Sequence, residues 1–179
     1  VRTSCQDELF RERIIHLCGP VDMAQAYVII DQLKCLEKEN PLERIVMRIS
    51  SGGGEVSAGL AIYDAMREVS CPIETVCEGM AASMAAVLLA GGTRGKRFAL
   101  PNSEIMIHQP LGGVQGQAAD VKIAAEHILQ IRQRLNTLLA ADTGRSLKEI
   151  SEDSDRDRYF SAEEAKNYGL IDDLVHKQK

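Results

Sequence analysis

The segment Ala81-Ala82-Ser83-Met84-Ala85-Ala86-Val87-Leu88-Leu89 has no polar face, and it constrains the fold more than any other stretch of the chain. A helix that is apolar all round has to be buried, and its small residues let it press closely against a sheet. Pro72 opens a strand over Ile73–Cys77 ahead of it, and Gly79 ends that strand. Strand patterns recur at Arg13–Leu17, Arg44–Ser50, Phe98–Leu100, Glu104–Ile107 and Ile171–Val175. Helical patterns lie between them. Asp22 caps a helix to Glu39 that turns Ile29, Leu33 and Leu36 to one face and stops at Asn40-Pro41. A second helix runs from Glu55 to Val69, with Leu60, Tyr63, Ala65 and Met66 near its buried side. A long one spans Gln117–Ala141, with Val121, Ile128, Ile131, Leu135 and Leu138 at helical spacing. Shorter helices start near Ser146 and at Ser161, which opens a Ser-Ala-Glu-Glu capping box. Strands alternating with helices predict an α/β domain with crossover connections.

No linker, repeat or low-complexity tract interrupts the 179 residues, so the expected organisation is a single domain over 1–179. With 45% hydrophobic residues the chain is no disordered tail, and its net charge of −5 argues against a nucleic-acid surface. The five cysteines, Cys5, Cys18, Cys35, Cys71 and Cys77, are odd in number and form no Cys-x-x-Cys pair. That is the usage of a reducing compartment. No apolar run reaches the roughly 18 residues that span a bilayer. The expectation is a soluble cytoplasmic protein that binds neither membrane nor nucleic acid.

Four kinds of chemistry lack their residues. Gly91-Gly92-Thr93-Arg94-Gly95-Lys96-Arg97 has neither the glycine spacing of a phosphate loop nor the Ser or Thr that follows its lysine. Ser51-Gly52-Gly53-Gly54 lies between a strand and a helix but is no spaced dinucleotide fingerprint. His16, His108, His127 and His176 belong to no metal-ligand motif. The carboxylates of Glu149–Asp157 read as a solvated helix end. No cofactor and no metal are expected.

A serine mechanism needs a hydroxyl at a strand-to-helix turn, an imidazole base, an orienting carboxylate and aimed N–H donors. Ser83, at the N-terminal end of the buried helix, meets the first requirement, because free N–H groups and the positive dipole end gather there. Taken alone, Ser83 reads more simply as a small core residue at a close contact. His108 stands at a strand end before Gln109-Pro110, and Asp157 lies in Asp155-Arg156-Asp157-Arg158. Taken singly, they fit a structural histidine and a surface ion pair. Composition and periodicity allow a triad without establishing one.

Longer segments carry more. Gly79-Met80-Ala81-Ala82-Ser83-Met84, Gly95–Ser103, Met106-Ile107-His108-Gln109-Pro110-Leu111-Gly112-Gly113, Asp155–Ala165 and Tyr168–Asp172 together resemble the ClpP-type proteolytic subunits of Clp proteases, in family order and spacing from about Leu9 onward. The resemblance implies a crotonase/ClpP-like α/β fold of repeated β-β-α units with a protruding handle helix at about 113–141. It implies a serine endopeptidase that degrades unfolded polypeptides inside two stacked heptameric rings, fed by a hexameric AAA+ unfoldase. By position Ser83 is the nucleophile, His108 the base and Asp157 the orienting carboxylate, with the N–H groups of Gly54 and Met84 as oxyanion donors. Gly53, Glu55, Val56, Pro110, Leu111 and Gly112 fall beside the substrate, and 113–116 would be the adjoining strand. The unfoldase-docking pocket maps to Lys34, Val46, Arg48, Glu68, Val76, Phe98 and Val175.

The chain departs from the family pattern at several of these places. Gly52 replaces the usual proline of the oxyanion turn, Glu55 brings a charge beside the substrate strand, and Ala85 and Glu104 replace a usual Gly and Arg. Lys34, Arg48 and Glu68 bring charge to a pocket built for apolar anchors, which predicts poor docking of a conventional unfoldase. The alternative is a weakly active or structural ring subunit working with a second ClpP-type subunit. A hydratase on the same fold would want acidic catalysts and an adenine pocket, and a pure interaction module would have no use for Ser83, His108 and Asp157. The resemblance fits the bacterial cytoplasm or an organelle.

Overall fold

The computed structural model describes residues 5–110, 113 and 115–175. Its centre is a seven-stranded mixed sheet. Strands β1 (Ile14–Cys18), β2 (Ile45–Ser51), β3 (Ile73–Ala82), β4 (Arg97–Ala99) and β7 (Asp173–Leu174) run side by side in that order and all in parallel. Strand β5 (Glu104–Ile107) pairs in parallel with the end of β3, and β6 (Arg158–Ser161) pairs antiparallel with β5. Helices α2 (Met23–Glu39) and α3 (Val56–Glu68) supply the first crossovers. This is the mixed α/β, ClpP-like architecture the sequence points to.

The helix ends follow local chemistry. The Asp22 carboxylate accepts the Gln25 N–H at 2.8 Å and starts α2, whose Ile29, Leu33 and Leu36 are buried. Ser146 and Ser161 open reciprocal capping boxes on α6 (Leu147–Asp153) and α7 (Ala162–Tyr168). Helix α4 (Met84–Ala90) is buried along its whole length, as its composition requires.

Three expectations need correcting. The strand does not end at Gly79 but runs on to Ala82, and the helix begins at Met84 rather than Ala81. Gly79, at φ +82°, turns the strand between two successive partners: β4 opposite Thr75–Cys77 and β5 opposite Met80–Ala82. The handle α5 (Ala118–Thr143) buries Leu135, Asn136, Leu139 and Asp142, all in its second half, whereas Val121 is exposed. Among the described residues its first half buries no side chain fully, and Ile128 of the apolar stripe read from the sequence is only half-buried. Residues 113, 115 and 116 are not in a strand, and 114 lies outside the described residues. Two elements went unread, α1 (Cys5–Arg11) and β6.

A buried arginine ties the edge of the sheet together. Arg97 Nη1 donates to the carbonyls of Ala90 and Asp142, which end α4 and α5. Its Nε and Nη2 grip both oxygens of Asp172 at 3.0 and 2.7 Å, just before β7. Burial pushes the Asp172 carboxyl upward, but the Arg97 hydrogen bonds and charge outweigh it and leave it below its ordinary value. Removing Arg97 leaves a partly buried carboxylate unpaired and takes the donor from the Ala90 and Asp142 carbonyls, whereas an asparagine at 172 can still accept from the guanidinium. Arg97→Ala is expected to lower the unfolding free energy by about 3–5 kcal/mol in urea titrations at neutral pH. Asp172→Asn should cost less. Because the folded-state pKa is depressed, its cost should be full above the ordinary carboxylate range and shrink as pH falls through the folded-state value.

Candidate active site

Between the end of β3 and the start of α4 stands one residue, Ser83. Its φ of +57° and ψ of −122° lie in a sparsely populated region for a residue with a side chain, at a cost of about 1–3 kcal/mol. The neighbours hold it there. Its N–H donates to the Met106 carbonyl at 2.8 Å, continuing the β3–β5 pairing, and its own carbonyl accepts from Ala86 and Val87 of α4. The sharp turn is of the kind that lifts a serine Oγ clear of the sheet.

The other two side chains come from adjacent antiparallel strands. Ile107 on β5 faces Arg158 on β6, so His108 and Asp157, one step beyond on each chain, leave the sheet together. His108 Nε2 lies 2.8 Å from Ser83 Oγ, and its Nδ1 lies 3.1 Å from Asp157 Oδ1. The carboxylate can only accept, which places the imidazole proton on Nδ1 and leaves Nε2 to accept the serine hydroxyl. The side amide of Gln109 ties the two loops by donating to the Asp155 carbonyl at 2.8 Å. The Asp157 side chain is 57% exposed, against 13% for His108. Such a line of groups can draw a proton from Ser83 and hold the resulting imidazolium. Burial pushes the Cys77 thiol up to about 11, so that sulfur is protonated and inert at neutral pH.

The glycine turn and the start of α4 lie next to Ser83. Gly54 is bridged in parallel to Val21, which donates to Gly53 O and accepts from Glu55 N–H. Met84 N–H is the first of α4 and has no carbonyl partner within the helix. Gly53 packs between them. A Cβ on Gly53 would lie 2.7 Å from Ala82 O and 2.8 Å from Ser83 Cβ, and its φ of +89° is one that side chains avoid.

Beside Ser83 and His108 lies a cavity of about 20 Å3. Of the residues the resemblance set beside the substrate, Val56 and Pro110 are in its wall, with Met84; Leu111 and Gly112 lie outside the described residues. Val87, Ile107, Leu135, Asn136 and Leu139 complete its wall and were not anticipated. Their signals were legible in part: Val87 is three residues past Met84, and Leu135 and Leu139 share one helix face. Nothing in the sequence pointed to Asn136, a buried amide whose Oδ1 accepts from Ser154 Oγ at 3.3 Å.

The expected docking residues divide into two groups. Val46, Arg48, Val76, Phe98 and Val175 line one open cavity of about 570 Å3, together with Ile14, Leu100 and Leu174. Lys34 and Glu68 are not in that wall but pair with each other at 3.8 Å. Arg48 pairs with Glu78 at 2.8 Å, and Arg44 pairs with Glu74 on the same cavity.

The fold is a mixed α/β one, and its Ser83, on a strained strand-to-helix turn in line with His108 and Asp157, stands in an arrangement like that of serine hydrolases. The sequence model of the Clp protease family matches residues 2–178, and the chain belongs to that family, a class of serine peptidases. Among the described residues no helix is long and apolar enough to cross a membrane.

The close approach of Gly53 gives a direct test of how tightly this turn is set. Gly53→Ala should lower peptide cleavage or serine-probe labelling about 100-fold or more while the far-ultraviolet spectrum is kept. Gly52→Ala, with nothing within 4 Å of the added methyl, should change it no more than about twofold. Equal effects at both positions would mean that the turn tolerates movement.

Proposed function

We propose that this chain is the serine endopeptidase subunit of a self-compartmentalised protease, with Ser83, His108 and Asp157 as its catalytic residues. The observation that carries the reading is the unbroken line from Asp157 Oδ1 through His108 to Ser83 Oγ, at 3.1 and 2.8 Å. Ser83 Oγ attacks the scissile carbonyl carbon while its proton passes to His108 Nε2. The carbonyl oxygen, now negative, accepts hydrogen bonds from the N–H groups of Gly54 and Met84. The C–N bond then breaks, and His108 gives its proton to the departing amine. Water attacks the Ser83 ester with His108 as base; the acid leaves and Oγ recovers its proton. Asp157 holds the imidazole in one orientation and stabilises its cation. Polypeptides are the substrates, and no step calls on a metal or cofactor.

Family membership supports assembly into stacked rings fed by a hexameric AAA+ unfoldase. The open cavity on β1, β2, β3 and β4 is suited to an apolar loop, with Val46, Val76, Phe98, Leu174 and Val175 as its floor. Its rim carries the Arg44–Glu74 and Arg48–Glu78 pairs. Paired rim charges cost a docking loop less than lone ones, since exposed pairs contribute only about 0–1 kcal/mol. Docking of a conventional unfoldase is therefore weakened rather than blocked, and a mixed particle with a second ClpP-type subunit is the reading this favours beside the first.

Two measurements check these readings. A fluorophosphonate or β-lactone should label Ser83, and Ser83→Ala should abolish labelling without changing assembly, while Asp157→Asn should slow it about 10³- to 10⁴-fold. Persistent labelling of Ser83→Ala would refute the nucleophile. For docking, Arg48→Tyr, a change in the wall of that cavity, should make the protein bind a family unfoldase several-fold more tightly than the unmodified protein does. Tight binding by both would show that the Arg48 charge is immaterial.

A further inference from the structure

Helix α3 begins with a carboxylate that the helix does not use. Asp22 caps α2, and Glu149 and Glu164 are engaged in the capping boxes of α6 and α7. Glu55 is the N-cap residue of α3 and makes no side-chain cap bond. It is exposed, and it has no ion-pair partner among the described residues. Its backbone is nevertheless fixed on both sides. The Glu55 N–H donates to Val21 O at 2.7 Å, and its carbonyl accepts from Gly59 N–H at 3.0 Å. Two residues before it, Gly53 packs against Ser83; one residue after it, Val56 lines the cavity that Ser83 and His108 share. An exposed negative charge is thus carried one residue from the wall of that cavity, on backbone held by hydrogen bonds on both sides. The carboxylate of the candidate triad, Asp157, is already engaged by His108.

We propose that Glu55 is a specificity-determining residue, selecting polypeptide segments with lysine or arginine close to the scissile bond and disfavouring aspartate or glutamate there. The inference rests on the peptidase reading above and deepens it. A substrate bound in extended form advances about 3.3 Å per residue, so a carboxylate anchored between Gly54 and Val56 comes within reach of side chains up to about three positions from the bond. Attraction between opposite charges at that range in a water-exposed cleft is modest, worth about three- to fivefold in rate. It is screened by salt, because the groups are exposed. The repulsion Glu55 exerts on the developing oxyanion is the same for every substrate and cancels from the ratio between two peptides.

The test is a set of fluorogenic peptides identical except for lysine, glutamine or glutamate placed singly at each of the three positions on either side of the cleaved bond. At low salt the wild-type assembly should cleave lysine peptides about three- to fivefold faster in kcat/KM than their glutamate counterparts at one or more positions. Glu55→Gln should bring that ratio to near one, Glu55→Lys should invert it, and about 0.5 M salt should flatten it for the wild type. A wild type indifferent to charge at every position, or a ratio unchanged in Glu55→Gln, would overturn the assignment while leaving the peptidase reading intact. If no peptide is cleaved faster than by Ser83→Ala, the peptidase reading falls and the role of Glu55 falls with it.

Discussion

One strand carries two parallel partners in succession along the same edge, and the site depends on that arrangement. β3 pairs with β4 along Thr75–Cys77, turns at Gly79, and pairs with β5 along Met80–Ala82. The second pairing brings Met106 O to the Ser83 N–H and so fixes the strained turn at the strand's end. β5 in turn carries β6, and their antiparallel register sets Asp157 next to His108. Had β3 stopped at its first partner, Ser83 would have entered the helix and its hydroxyl would have stayed inside the core. The cost of φ +57° is met by the burial of α4 and by backbone hydrogen bonds on both sides of the turn.

Much of this was legible in the sequence, for identifiable reasons. The Asp22 cap, the two Ser–Glu capping boxes and the Ile29–Leu33–Leu36 stripe are local signals, and α2, α6 and α7 begin where those signals say. The buried helix at 84–90 was legible because a segment without polar residues has no other place to go. What could not be read was pairing. Glycine inside a strand reads as an end, and it is pairing beyond it, with β5 along Met80–Ala82 and with Ser51 of β2 at Ala81, that keeps Gly79 within β3. β6 was missed because Arg158-Tyr159-Phe160-Ser161 has one buried residue, Phe160, and owes its strand form to β5. Handle positions such as Ile123 and Leu129 are exposed in a single chain, so their apolar character speaks of contacts outside it.

The candidate site divides in the same way. Ser83, His108 and Asp157 were found by resemblance, since one hydroxyl, one imidazole and one carboxylate, 25 and 49 residues apart, share no local pattern. Their union is a product of register. Gly53 is the residue whose role only three dimensions reveal: a missing side chain that allows the glycine turn to lie against the elbow. Arg97 acts at longer range, holding the ends of α4 and α5 and the start of β7 to the sheet.

The central claim is that Ser83 attacks a carbonyl whose oxygen is received by Gly54 and Met84. A crystal structure of the protein with a peptide boronate tests it most directly, because the tetrahedral adduct imitates the intermediate. The account predicts boron bonded to Ser83 Oγ, with one boronate oxygen about 2.7–3.1 Å from both backbone nitrogens and His108 Nε2 facing the other. Boron on another residue, or an adduct on Ser83 whose oxygens point away from Gly54 and Met84, would contradict it.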